Sequence, residues 1–277
     1  MDNVDIELLV ALLFVTFIAG VAGALLGLGG GFIVIPVLTL ALKIPIHVAI
    51  GASIIGVIAT SSAAATVYVQ KELVNVRLAM VLETATTLGA IAGAFLAVYL
   101  NPQMVSIVFA LFLLYAAFQM ALQPERSYIA SKKDEMRGKY YDKARGCDVD
   151  YCVEHLERGL LASFIAGNFS GLLGVGGGLI KVPAMYLWMN VPMKVATATS
   201  NFMIGVTAAA SAYIYYTHGF IDPIVTAATT IGIFTGATIG SRVVFYIGGR
   251  TLQRGFAIVI AIISIVMLAN GLGVVSW

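Results

Sequence analysis

Gly27-Leu28-Gly29-Gly30-Gly31 and Gly174-Val175-Gly176-Gly177-Gly178 are the two stretches on which the fold of this chain turns. Each interrupts a long uncharged run, and a shift of 147 positions lays the first on the second without a gap. The same shift carries Pro36 onto Pro183, Pro45 onto Pro192, Ser53 onto Ser200, Tyr68 onto Tyr215, Gly89 onto Gly236 and Gly93 onto Gly240. Clustered glycines and two prolines in one register mark an internal duplication. Glycine costs about 1 kcal/mol per residue inside a helix, so a cluster of them ends one.

Around the glycines, charge is absent from residues 8–42, 44–70, 84–124, 159–180, 195–221 and 255–277. A bilayer span needs about 20 apolar residues. The chain has 277 residues, 60% hydrophobic and 11% charged. Average soluble domains carry about 25% charged residues, so a water-soluble globular fold is excluded. The fold class expected is all-α, a polytopic membrane protein. Its N-terminal residues 1–7 are acidic and lack the basic stretch of a signal peptide, so the first span is expected to be retained.

Each half reads as a long helix ending at the glycines, a short helix and three further spans. These fall near 8–26, 31–42, 47–70, 76–100 and 103–122, and near 158–173, 178–190, 194–217, 222–247 and 251–274. A helix of a dozen residues covers roughly 18 Å, well short of a hydrocarbon core of about 30 Å. The segments flanking each glycine cluster therefore read as a hairpin with its tip inside the membrane or near its far side. The domains expected are a first repeat over 1–124, a charged linker over 125–157 and a second repeat over 158–277. Half of the sixteen Lys and Arg residues lie between positions 126 and 158, interleaved with acids, as in a solvated loop in which a short helix has room to form. Cys147 and Cys152 both fall there, with His155 nearby. They lack the paired knuckles of a zinc ribbon and read as loop thiols, free or bridged.

The hairpin returns the chain to its starting side and three more spans make an odd count, so the two repeats are expected to be inverted. With the N-terminus outside, the cytoplasmic segments hold thirteen Lys and Arg residues and the external loops only Lys43. The positive-inside rule then places both termini outside and the linker in the cytoplasm. The net charge of +2 sits in loops and gives no nucleic-acid footprint.

Non-helical backbone at membrane depth is tolerated only where protein or a water-lined cavity satisfies it. A broken tip leaves unpaired N–H groups at the head of the next helix, near Phe32–Ile33 and Leu179–Ile180, where an anion gains about 0.3–2 kcal/mol. Gly27, Gly29, Gly30 and Gly31, with Gly174, Gly176, Gly177 and Gly178, are the expected binding backbone, since glycine lets a ligand come close. Two such tips from inverted repeats make the midplane site of a secondary transporter. Gly20, Gly23 and the pairs Gly89/Gly93 and Gly236/Gly240 read as helix-packing positions.

The chain resembles the sulfite-exporter TauE/SafE permeases. The resemblance rests on the paired Gly-x-Gly-Gly-Gly motifs with a following proline, at residues 27–36 and 174–183, and on Gly-Ala-Ser at 51–53 and Ala-Thr-Ser at 198–200. It implies a cell-membrane permease for a small sulfur-containing anion such as sulfite, thiosulfate or an organosulfonate. Apart from the resemblance, a proton or sodium is open as coupling ion. Ser53, Thr199, Ser200 and Asn201 are then donors to sulfonate oxygens, or else hydroxyls bonded back to a helix carbonyl.

Lys181 lies three residues past the second glycine cluster, where the first repeat has Val34. A lysine at the midplane costs about 2.5–3.5 kcal/mol or more. It therefore reads as an anion ligand, or as a lysine snorkelling to water. Glu83 is the acid of the apolar body, a proton-coupling carboxylate or a partner for a base. Arg242 reads as snorkelling, and His47 and His218 as surface residues at span ends. No Ser/His/Asp set, metal cluster or P-loop occurs, so neither a cofactor nor an enzymatic activity is expected. Alternating access is the expected mechanism; a passive anion channel and an intramembrane enzyme are the alternatives.

Overall fold

A computed structural model describes residues 6–122, 137–142, 147–243 and 261–272. In the first half α1 is Ile6–Leu26, α2 is Gly31–Pro36, α3 is Ile46–Gln70, α4 is Val76–Tyr99 and α5 is Pro102–Leu122. In the second, α6 is Leu156–Leu173, α7 is Gly178–Leu187, α8 is Met193–Thr217 and α9 is Pro223–Val243; α10 is Ala261–Gly271. The all-α membrane class stands: α3, α4 and α9 are long and apolar enough to cross a bilayer. Phe14, Met80, Leu88, Phe118, Tyr213 and Ile231 are exposed on the flanks, as a lipid-facing surface requires. The end of the span expected near 222–247 and both ends of the one expected near 251–274 lie outside the described residues.

Pro36 has no N–H to give the helical ladder. After it the chain widens into a π turn over Val37–Ala41, closed by the Leu42 N–H on the Val37 carbonyl at 3.3 Å. The expected short helix therefore exists in two pieces.

Helix packing runs through small residues and repeats itself. A Cβ on Gly89 would strike the Phe164 carbonyl and one on Gly236 the Phe17 carbonyl. Likewise Gly93 abuts the Asn168 carbonyl and Gly240 the Val21 carbonyl. Each pair maps onto the other under the 147-residue shift. Backbones this close gain dispersion energy along their whole contact, the usual force between helices in lipid. Gly167 meets Thr86 and Gly171 meets Ala90, so α4 and α6 run in the same direction; α1 and α9 do too, through Gly232 on Leu13 and Gly236 on Phe17.

The linker, read from sequence as a solvated loop with room for a short helix, holds a β-hairpin instead. β1 is Arg137–Asp142 and β2 is Cys147–Cys152, antiparallel, with Gly138 opposite Tyr151 and Tyr140 opposite Val149. Gly138, Tyr140, Val149 and Tyr151 share one face, and alternation with period two suits a strand, not a helix. The Tyr151 ring lies over Gly138. Tyr140 and Tyr151 join a buried cluster with Leu73, Leu78, Met189 and Val191. Asn75, the N-cap of α4, accepts from the Leu78 N–H at 3.0 Å and donates from Nδ2 to the Tyr151 hydroxyl at 3.1 Å. Burial pushes the Tyr151 phenol above its ordinary range. On the opposite face Lys139 and Asp148 pair at 2.9 Å, and the carboxylate holds the lysine above its usual value.

Asn75→Ala removes the cap and the Tyr151 contact together, and should lower stability by about 1–2 kcal/mol in thermal unfolding. Tyr151→Phe, which loses only the hydrogen bond, should cost about 1 kcal/mol. No loss in Tyr151→Phe would mean that the hairpin contributes nothing through this contact, and equal losses that the cap adds nothing beyond it.

Cys147 is exposed and Cys152 buried, and no disulfide joins them. They lie five positions apart on one strand and so point to opposite faces, which prevents a bridge between them. His47, expected at the surface, is buried instead: Nε2 lies 3.0 Å from the Ala97 carbonyl and the ring stacks on Phe220 with centroids 4.9 Å apart. The start of α3 is covered by the end of α4 and the loop before α9, a neighbourhood that span counting does not reveal. His218 and Arg242 are exposed, as expected.

Candidate functional site: the glycine tips and a buried charge pair

Each glycine cluster ends one helix and starts the next. Gly30 and Gly177 are the N-caps of α2 and α7, with φ of 81° and 71°. That left-handed region costs other L-residues about 1–2 kcal/mol. Gly27, Gly29, Gly174 and Gly176 also have positive φ.

Gly31 and Gly178 are required for another reason. A Cβ on Gly31 would lie 2.5 Å from the Gly174 carbonyl oxygen, and one on Gly178 would strike the Gly27 carbonyl. The two tips therefore touch one another, backbone to backbone. Gly29 and Gly176 both face Val57 and Ile204.

The tip N–H groups are fewer than the sequence suggests. Ile33 and Val34 donate to the Gly30 carbonyl at 3.2 and 3.4 Å, and Ile180 and Lys181 to the Gly177 carbonyl at 3.2 and 3.1 Å. The tightened first turn thus uses the N–H groups of Ile33 and Ile180. By helix geometry the orphan donors are those of residues 31–32 and 178–179.

The expected hydroxyls lie at the tips and are engaged with protein. Ser53 donates to the Gly174 carbonyl at 2.9 Å and Ser200 to the Gly27 carbonyl at 3.1 Å. Each serine thereby ties its own repeat to the tip of the other, and neither bonds back to its own helix. Asn201 Nδ2 donates to the Ala24 carbonyl at 3.0 Å, while its Oδ1 is buried without a partner. Thr199 is turned away, accepting from the Asn75 N–H at 3.1 Å.

A second group of residues lies off the tips. Lys181 is 1% exposed and Glu83 is 8% exposed. Snorkelling is therefore not what Lys181 does; its Nζ is buried and has no hydrogen-bond partner. Glu83 Oε1 accepts from Thr207 at 2.7 Å and from Thr87 at 3.0 Å, and Oε2 has no partner. Their chain neighbours Leu82 and Val182 share one buried cluster, but no ion pair within 4.0 Å joins the two charges. An ammonium, a carboxyl and hydroxyl donors in one apolar interior can hold an anion and a proton. Lys181 and Glu83 are not within the hydrogen-bond reach of each other that a nucleophile and its base need.

Thr207 and Thr87 were not anticipated. Thr207 was findable, because the 147-residue shift pairs it with Thr60 and a hydroxyl kept in both halves of an apolar body is a signal. An apolar groove of about 810 Å³ between α5, α6 and α7, lined by Leu111, Phe112, Leu161 and Ile165 among others, contains none of these residues.

The model of a family described as "Sulfite exporter TauE/SafE" matches residues 12–267. The chain is 26% identical over 270 residues to "Probable membrane transporter protein YunE" of Bacillus subtilis (strain 168), covering 95% of this chain and 98% of that one. It is 24% identical over 276 residues to "Probable membrane transporter protein MJ0441" of Methanocaldococcus jannaschii, covering 94% and 96%. It is 30% identical over 133 residues to "Sulfite exporter TauE/SafE family protein 3" of Arabidopsis thaliana, covering 47% and 28%. No solved structure matches.

Proposed function

The chain belongs to the sulfite exporter TauE/SafE family of membrane transporters, and on that premise we propose that it carries a small sulfur-containing anion by alternating access. The observation that carries the reading is Lys181: a buried ammonium without an acceptor, on the helix that starts at the second glycine tip. A lone buried cation costs several kcal/mol, and an anionic substrate offsets that cost. A sulfonate, sulfite or thiosulfate offers several acceptor oxygens to its three donors. Backbone N–H groups at the heads of the short helices add to the same field.

The two repeats are inverted, and they rock against one another about the tip contact. This reading is supported by the same-direction pairing of α4 with α6 and of α1 with α9. With short connections making α1 and α4 antiparallel, α6 then runs opposite to its counterpart α1. The Ser53 and Ser200 bonds make the contact a hinge shared equally by the repeats.

The test is thermal-shift screening of the purified chain against sulfite, thiosulfate, sulfate, taurine and sulfoacetate, followed by flux into proteoliposomes. Stabilisation by one or more of the anions, with saturable flux, is expected. Stabilisation by none overturns the reading, and unitary currents would make the protein a channel.

The orientation proposed puts both termini outside and the hairpin in the cytoplasm. Cys147 is exposed and Cys152 buried, so one thiol should react rapidly with a membrane-impermeant maleimide, and only after permeabilisation. Labelling of Cys147 in intact cells reverses the orientation.

A further inference from the structure

Glu83 and Lys181 come from different repeats, and their counterparts under the 147-residue shift, Thr230 and Val34, carry no charge. The pair is therefore single. Two buried charges of opposite sign normally close into contact, since separated ones pay desolvation without the full attraction. Here each keeps an unpartnered atom, Nζ on one and Oε2 on the other, while Oε1 is held by Thr207 and Thr87.

We infer that Glu83 is the internal counter-anion of the substrate site, and that it takes up one proton on Oε2 each time a monoanion occupies Lys181. This rests on the reading of Lys181 as the anion's ligand. The charge count leads to it. The empty pair sums to zero; a monoanion makes it −1 in a buried setting, and one proton restores zero. The proton comes from the solution on the side from which the anion enters, and leaves with it on the other. Its place is determined by the hydrogen bonds: Oε1 already accepts two, so the free oxygen is the one that protonates. A carboxylate at Oε2 repels the anion's oxygens, whereas a carboxyl O–H there donates to one of them. Sodium fits worse, because a second cation beside an ammonium meets repulsion and one carboxylate supplies few of the oxygens it needs.

Among the described residues no other charge takes part. Helix α6 carries Glu157 and Arg158 in its first turn, α8 carries Lys194 in its first turn and α4 carries Arg77 in its own, all exposed. Tyr68 on α3 and Tyr186 on α7 are phenols of the surrounding core.

Methanesulfonate is the probe, because its own charge does not change near neutral pH. Calorimetric titration of the full chain in two buffers of different ionisation enthalpy counts the protons taken up. One proton per anion is expected, with the dissociation constant rising up to tenfold per pH unit where the uptake is complete. Glu83→Gln should bind with an affinity that is flat in pH and take up no proton. If that variant does not fold, the wild-type count decides alone. Lys181-dependent binding with no proton uptake overturns this inference and leaves the anion site standing. An unchanged proton count in Glu83→Gln assigns the proton elsewhere and also overturns it. Failure of methanesulfonate, thiosulfate and sulfite alike to bind in a Lys181-dependent way overturns both.

Discussion

Lys181→Met should raise the dissociation constant of the anionic substrate by about one to two orders of magnitude, the equivalent of losing about 1.5–3 kcal/mol of charge-assisted hydrogen bonding. Methionine keeps the length and apolar stem of the side chain, so packing against α8 is largely retained. The charge goes, and with it the reason for an anion to leave water for this interior. Lys181→Arg should be intermediate, since the planar guanidinium presents its donors in a different geometry. Val34→Ala is the paired control. Val34 is fully buried at the equivalent position of the first repeat, so the change lowers stability by about 1–2 kcal/mol without altering anion affinity. Calorimetry on the purified protein compares the three. Wild-type affinity in Lys181→Met would leave binding to backbone and hydroxyl donors alone.

The second large effect concerns the contact between the tips. Gly178→Ala should abolish most transport and lower the unfolding temperature, and Gly178→Val should prevent assembly of the two repeats. The added Cβ meets the Gly27 carbonyl and lies 3.0 Å from the Leu28 Cα. These are backbone atoms, which cannot step aside as the end of a flexible side chain can. Overpacking costs about 1–3 kcal/mol, and displacing the Gly27 carbonyl also strains the hydrogen bond from Ser200, worth about 1 kcal/mol. Against a total stability of about 5–15 kcal/mol the sum is large. Gly219→Ala separates conformation from contact. Gly219 has a φ of 73° but nothing within 4 Å of its added Cβ, so the change costs about 1–2 kcal/mol and transport persists. Wild-type transport and unfolding in Gly178→Ala would show that the tips do not need their close approach.

Local pattern was legible from residues alone. Uncharged runs announce membrane helices because lipid admits little else, and the glycine clusters announce breaks because no helix tolerates them. The 147-residue register exposed the duplication, and the packing glycines Gly89, Gly93, Gly236 and Gly240 followed from their spacing. The TauE/SafE resemblance read from the motifs agrees with the family match. Which atom each group meets was not legible. Ser53 and Ser200 were visible as matched hydroxyls, yet only packing shows them donating to the opposite tip's carbonyl. His47 looked like a span-end residue until α4 and Phe220 covered it. The linker's period-two face, Tyr140 with Val149 and Tyr151, was masked by its charges, and the hairpin is held by Asn75 and Leu73 from a distant loop. Lys181 and Glu83 were each conspicuous as charges in apolar runs, but their approach, their gap and the two threonines on Oε1 are products of α4, α7 and α8 coming together. Periodicity and composition are set by neighbours along the chain and by the solvent each segment faces. Hydrogen-bond partners and charge pairs depend on segments far apart in sequence, and these acquire neighbours only when the helices pack.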